Sequence, residues 1–274
     1  MGDALMHTTL PPEVADALDR LAEACRILAM EGHNDMTLGH LAWRDPSRRG
    51  VWIKRNRIGL DEVRNAADFV LVSDSGTKLA GDGGVHSEWP IHAAILAARP
   101  DVRFTAHTHP LHASVLSGSG EALRPYTLDA DYFTTIPRLR DTQALIVTAE
   151  EGEAVAQALG DALVVMLANH GVVFCGRTLE ELVCIGAFLE RAARAHLLGA
   201  KAGLAPPQLD AEARARRHAQ VMTPRHHEHS YQYFLRRLKA AEAMPGRPGP
   251  GAGWLAGVDN AASSKAGQGQ SASG

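Results

Sequence analysis

Val102-Arg-Phe-Thr-Ala-His107-Thr-His109-Pro110 reads as a β-strand, Val102 to Thr108, that runs directly into a functional site. Alternate residues of a strand share a face, so His107 and His109 can aim at one point while Thr108 faces away. Two imidazoles in that register suit a metal ion. About sixty residues later, Leu167-Ala-Asn-His170-Gly171 offers a third imidazole from a turn in which Gly171 relieves backbone crowding. Upstream, Ser87-Glu88-Trp-Pro-Ile-His92 places a carboxylate near a helix start, where Glu88 can serve as a fourth ligand or as a proton-transfer group. Three imidazoles leave open positions for substrate oxygens. Any of these histidines alone reads as a satisfied polar residue, and a glutamate in a first helical turn is also what the helix dipole favours. The pattern points to metal chemistry only when taken together.

Around this stretch the chain alternates helices and strands. Residues 11–32 carry apolar side chains at a period near 3.6 after a Pro-Pro start, which predicts an amphipathic helix. Short runs at 39–44, 51–54 and 69–73, separated by Asp-Pro-Ser and Asp-Ser-Gly turn signals, predict antiparallel strands. Residues 87–98 read as a helix with Ser87 as its N-cap and Pro90 in its first turn. Helical segments follow at 111–116 and 150–159, and β-branched runs at 163–167 and 172–175 flank the His170 turn. Thr178 caps a long helix to about Gly199, and a last helix spans 224–243. Residues 1–244 read as one domain; the Gly/Pro/Ser-rich stretch 245–274 lacks the apolar content to pack and reads as a disordered tail, with Trp254-Leu255 its one apolar exception, either a docking point or a solvated remnant.

A length of 274 residues fits one domain plus a tail, and 45% hydrophobic with 22% charged residues is the composition of a soluble globular enzyme. A net charge of −3 provides no general attraction to nucleic acid or an anionic membrane. No apolar run approaches the ~18 residues of a membrane span, and the N-terminus lacks the basic-then-apolar order of a signal peptide, so a cytoplasmic location is expected. Cys25, Cys175 and Cys184 lie in apolar surroundings without a C-x-x-C pair and read as buried, reduced thiols.

From about Leu21 to His196 the chain resembles the class II aldolase/adducin family. The resemblance is carried by Gly39-His40-Leu41-Ala42-Trp43-Arg44, Phe69-Val-Leu-Val-Ser-Asp-Ser-Gly76, Ser87-Glu88-Trp89-Pro90-Ile91-His92, Arg99-Pro-Asp-Val102, His107-Thr-His-Pro110 and Asn169-His-Gly171. It implies an α/β fold, a three-layer α/β/α sandwich around a mainly antiparallel central sheet. It also implies a divalent ion (Zn, Mn, Fe or Co) held by His107, His109 and His170, an acid/base or ligand role for Glu88, and commonly a homotetramer with active sites near subunit interfaces. The chemistry shared by such sites is stabilisation of enolate-type charge on substrate oxygens by a Lewis acid. Aldol cleavage, epimerisation and decarboxylation all deliver electrons to that position.

Members acting on sugar phosphates are similar to one another in a Gly-Asn-x-Ser segment, a Pro-Ser-Gly or Ser-Ser-Gly turn and a Ser-Ser before the glutamate, which present small donors to phosphate. Here Gly39-His40-Leu41-Ala42, Lys54-Arg55-Asn56-Arg57-Ile58-Gly59 and His86-Ser87-Glu88 stand in those places. The substitution suits a small anionic carboxylate without phosphate, oriented by His40, Lys54 and Arg57 through charge-assisted hydrogen bonds. His86 and His92 read as structural, and the basic run 54–57 also fits a solvated loop. Tyr126, Asp129, Tyr132 and Phe133, like the cluster Arg225 to Tyr231, fall where they could reach a neighbouring site in an oligomer, though a solvated helix start also explains His226, His227 and His229. The leading expectation is a carbon–carbon lyase, a decarboxylase of a hydroxy/oxo or dihydroxy-aromatic carboxylate. Aldol cleavage of a hydroxy-oxo acid, a non-haem iron oxygenase and a noncatalytic adducin-like interaction domain are the alternatives.

Overall fold

Eight strands make one sheet: β1 (His40–Arg44), β2 (Val51–Lys54), β3 (Phe69–Val72), β4 (Lys78–Ala80), β5 (Phe104–Thr108), β6 (Arg138–Leu139), β7 (Val164–Leu167) and β8 (Gly171–Gly176). Their spatial order is β4-β3-β2-β1-β5-β8-β7-β6. Every neighbouring pair is antiparallel except β6 with β7. This is a computed structural model, and it describes residues 10–140 and 145–243. The expected domain limit at 244 and the tail 245–274 lie outside the described residues.

Strands β2, β3, β7 and β8 are buried at every residue, because both faces of the sheet are covered. Helices α1 (Pro12–Leu28), α5 (Leu179–Lys201) and α7 (Pro224–Glu242) pack one face, sharing a core with Leu41, Trp43, Trp52, Phe69, Ala106 and Phe174. Helices α2 (Trp89–Ala98) and α4 (Ala149–Leu159) meet Ala42, Ile53, Val70, Val165 and Val173 on the other. The split follows strand alternation: Leu41 and Trp43 go one way and Ala42 goes the other. Completing the element order, α3 (Leu111–Gly118) follows β5 and α6 (Ala211–Val221) precedes α7. The result is a mixed α/β fold with seven α-helices among the described residues.

Two sequence-based expectations about the helices need correction, and one helix was not anticipated. The first helix does not run unbroken to residue 32: it gives way to a π-turn over Ala29–His33, in which Gly32 takes φ +98. That conformation is open to glycine because it has no Cβ. Ser87 does not cap α2; the N-cap position is Glu88 itself, with no side-chain cap bond, since its carboxylate is engaged elsewhere. Helix α6 was not expected. It buries no residue and depends on Asp210, whose side chain accepts from Ala213 N, for its start. The expected Thr178 cap is present, its side chain accepting from Glu181 N, and an unexpected Thr148–Glu151 capping box starts α4. Cys25, Cys175 and Cys184 are buried and unpaired.

Candidate metal centre

The register of β1, β5 and β8 builds the centre. His40 and His107 are directly paired across β1 and β5, so both side chains leave the sheet on the same face. His107 is fully buried, and its Nδ1 lies 3.0 Å from the carbonyl of Val172. A carbonyl only accepts, so His107 carries its proton on Nδ1 and presents Nε2 as a lone pair. His109 follows the strand end, and its Nδ1 meets Asp35 Oδ2 at 2.9 Å, which fixes the same tautomer against the carboxylate. The two Nε2 atoms then face each other at 3.1 Å. Two lone pairs at that distance repel unless a cation or proton lies between them, and this donor set suits a divalent ion.

His170 comes from the turn between β7 and β8. Asn169 adopts φ +57, a left-handed conformation that asparagine tolerates better than most residues. Gly171 cannot carry a side chain here: a Cβ would lie 2.5 Å from His109 Cδ2 and 2.6 Å from Thr108 O. Both ring nitrogens of His170 are buried without a hydrogen-bond partner. A buried imidazole left so is costly unless a ligand satisfies it. Burial drives the His107 ring well below the usual histidine range and His170 down to about 4, with neighbouring imidazoles adding to the effect. Both rings are therefore neutral at pH 7, the form that ligates. His107, His109 and His170 bring ligating atoms within 4.8 Å of one another.

Glu88 closes the centre from α2. Its Oε1 accepts from Ile146 N at 3.0 Å and lies 3.6 Å from His170 Nε2. Its Oε2 lies 3.6 Å from both His107 Nε2 and His40 Nε2. Burial raises the carboxyl above its ordinary range, opposed by the Ile146 N–H. A buried carboxyl with a raised pKa, set among neutral imidazoles, is equipped to hold and release a proton.

The remaining expected site residues divide. His40 joins the centre, is fully buried, and its Nδ1 contacts His92 Nε2 at 2.6 Å; His92 Nδ1 in turn contacts Thr105 Oγ1 at 2.6 Å. Lys54 is not brought to the histidines. It follows Trp52 on the α1 side of the sheet, and its ammonium donates to the carbonyls of Ile58, Arg55 and Thr37, holding the loop after β2. Burial lowers it to about 8. Arg57 is exposed on that loop at φ +64.

Four residues of the centre and its supports were not assigned these places from sequence. Asp35 orients His109, and His86 joins His40 and Glu88 as a second group of potential ligands. His92 anchors His40. His33 spans Thr108 Oγ1 at 2.8 Å and Gly186 O at 3.0 Å, pinning the turn that delivers Asp35. None belongs to a spacing motif with its partners. His86 lies two residues before Glu88 in a turn, where strand parity does not apply, so the sequence carried no signal for it. Of the segments thought able to reach a neighbouring site, Tyr132 and Phe133 are in the core, and Tyr126 donates its hydroxyl to Leu204 O at 2.7 Å. His226 and His229 line a separate groove with Phe188 and Arg191.

Residues 19–197 match the family model of the class II aldolase and adducin N-terminal domain, and the chain belongs to that family. A 3,4-dihydroxyphthalate decarboxylase from Rhodococcus jostii is 31% identical over 196 residues, covering 67% of this chain and 80% of that enzyme. A 4-hydroxy-3-prenylphenylpyruvate oxygenase/4-hydroxy-3-prenylbenzoate synthase from Streptomyces roseochromogenus subsp. oscitans is 31% identical over 144 residues, 52% of each chain. Among solved structures, an L-fuculose 1-phosphate aldolase from Glaciozyma antarctica superposes with TM-score 0.73 at 25% identity, covering 84% of this chain and 91% of that one. The relatives differ in chemistry on one fold, so the pocket around the histidines decides the reaction.

Proposed function

We propose that this chain is a divalent-metal-dependent carbon–carbon lyase, a decarboxylase of a small hydroxy/oxo or dihydroxy-aromatic carboxylate without phosphate. The observation that carries the reading is Glu88: one buried carboxyl stands 3.6 Å from ring nitrogens of His107, His170 and His40. His107, His109 and His170 would hold the ion, which when bound supplies Lewis-acid stabilisation of negative charge developing on chelating substrate oxygens. As the carbon–carbon bond to the departing carboxylate breaks, its electron pair stays on the substrate and carbon dioxide leaves. Protonated Glu88 then delivers its proton to that carbon and recovers one from water. The Ile146 N–H holds the carboxyl in place for both transfers.

The surroundings support an acidic substrate more than a phosphate ester. Imidazoles stand at 40 and 86 where small donors would be needed, and the hydroxyls of the Ser73 turn bond each other, Ser73 Oγ to Ser75 Oγ at 2.9 Å. His40 would hydrogen-bond the second acidic group of the substrate, and Arg57 would steer it from the loop that Lys54 holds. The relative named as a 3,4-dihydroxyphthalate decarboxylase favours decarboxylation over aldol cleavage. In this reading the helical flanks are the outer layers of a three-layer α/β/α sandwich, and the protein works in the cytoplasm as a homo-oligomer, a tetramer with sites near subunit interfaces.

The test is product analysis on the metal-loaded protein with a panel of dihydroxy-aromatic carboxylates and hydroxy-oxo acids. Carbon dioxide release supports the proposal; release of an aldehyde makes the enzyme an aldolase. The oxygenase-named relative motivates a second reading, iron-dependent oxidation, and it predicts turnover with iron that stops without air.

A further inference from the structure

Behind His40 the core holds a chain of polar groups that proton transfer at Glu88 does not use. His40 Nδ1 lies 2.6 Å from His92 Nε2, and His92 Nδ1 lies 2.6 Å from Thr105 Oγ1. All three residues are fully buried. The chain ends at His40 Nε2, which is buried without a hydrogen-bond partner, 3.6 Å from Glu88 Oε2. We propose that Thr105 and His92 are positioning residues that fix His40 as a hydrogen-bond donor into the centre, so that the site selects a substrate carrying a second carboxylate beside the one that is lost. The inference rests on the lyase reading and deepens it.

The hydrogens decide the direction of the relay. Burial lowers His92 to about 3, so the ring is neutral and carries one N–H. Each contact needs one donor and one acceptor, which leaves two ways to run the chain. If His40 donates to His92 and His92 to Thr105, the threonine O–H, with no other partner among the described residues, stays unpaired in the core. His40 Nε2 is then a lone pair facing a carboxyl oxygen. If Thr105 donates to His92 and His92 donates to His40, the O–H is paired and the hydrogen of His40 sits on Nε2. A buried donor without a partner is costly. The second direction moves that donor from the sealed core to the centre, where its N–H is attracted to Glu88 Oε2 instead of opposing it.

The cross-strand pair His40 and His107 then presents two opposite groups. His107 donates from Nδ1 to the Val172 carbonyl and turns a lone pair inward for the ion; His40 turns an N–H inward for an anion. His86 packs over the His40 ring, centroids 3.9 Å apart, and its Nδ1 accepts from the Glu88 N–H, so it leaves His40 Nε2 unmet. A carboxylate oxygen only accepts, and its hydrogen bond to an N–H is charge-assisted. A substrate with a hydrogen in that place leaves the donor unpaired, and the site discriminates against it. Glu88 protonates the carbon that loses carbon dioxide, and His40 Nε2 lies 3.6 Å from its carboxyl, which puts the held group next to that carbon.

Neutron diffraction from crystals of the perdeuterated full chain loaded with Zn²⁺ tests the direction. Calorimetry on the same protein tests the selection, with phthalate against benzoate, which lacks the second carboxylate. The proposal expects deuterons on Nε2 of His40 and of His92, with the Thr105 hydroxyl aimed at His92 Nδ1. Phthalate should bind about 10–100-fold more tightly than benzoate. Thr105→Val keeps the shape and removes the hydroxyl; it should shrink that preference by about fivefold, and Thr105→Ser should restore it. Melting curves check that both variants fold, and the neutron result on the unaltered chain decides the direction without them. A deuteron on His40 Nδ1, or a preference that Thr105→Val leaves unchanged, overturns the relay and leaves the lyase reading intact. A deuteron on His40 Nε2 with phthalate preferred, but no carbon dioxide from any acid of the panel, supports the donor and overturns the lyase reading.

Discussion

The carboxylate of Asp35 accepts from Nδ1 of His109 at 2.9 Å, across 74 residues of sequence. Asp35 reaches this position because Gly32 breaks the first helix and His33 fastens the following turn to Thr108 and Gly186. An outer carboxylate holds a ligating imidazole in one tautomer and makes it more basic. Asp35→Ala should therefore weaken metal affinity by about 10–100-fold, read by competition with a chromophoric chelator. An unchanged affinity would leave Asp35 a surface ion pair only.

Glu88→Gln keeps a carbonyl oxygen for the Ile146 N–H and removes the titratable carboxyl proton. The catalytic rate constant should fall by about 10²–10⁴-fold, while the melting temperature stays close to that of the unaltered protein. Steady-state kinetics beside a thermal melt check this. Loss of folding without a specific loss of turnover in the folded fraction would make Glu88 structural.

At Gly171 an added methyl would collide with His109 Cδ2 and the Thr108 carbonyl. The backbone carbonyl cannot yield as a flexible side chain can, so the turn must shift. Gly171→Ala should cost about 1–3 kcal/mol of stability and also reduce metal affinity, because the same shift moves His109 and His170. Urea denaturation with and without metal separates the two effects.

Acid should unfold the metal-free protein through its buried histidines. Burial lowers His92 from 6.5 to about 3, and lowers His33 and His227 in the same direction. Above pH 6.5 these rings are neutral whether folded or not, and their contribution is complete. As pH falls through 6.5 the unfolded chain takes up protons that the folded chain refuses. Stability then declines by about 1.4 kcal/mol per pH unit for each such ring, continuing towards pH 3 for His92. Denaturant midpoints between pH 8 and 4 check the sign; a flat profile would mean that these rings admit protons in the folded state.

Much of the fold was legible because its signals are local. β2 matched its apolar run at 51–54, and Thr178 capped its helix as its position before Leu179 suggested. The His107/His109 pairing follows from strand parity and the Gly171 requirement from crowding, both readable over a few residues. The edge strands β4 and β6 were not read, since three and two residues carry no usable period. Helix α6 was missed because it has no apolar face to bury. The supports of the centre were hidden for another reason: Asp35, His33 and His92 act on partners that only the folded chain brings near. Lys54 shows the converse, a cation adjacent in sequence to the expected pocket that the alternation of β2 turns towards α1 and the loop carbonyls.

The most direct measurement is an anomalous-difference map from crystals of the metal-loaded protein, collected on either side of the metal absorption edge. The account predicts a peak about 2.0–2.2 Å from a ring nitrogen of each of His107, His109 and His170. No peak there, or one confined to His226 and His229 on the surface, would contradict it.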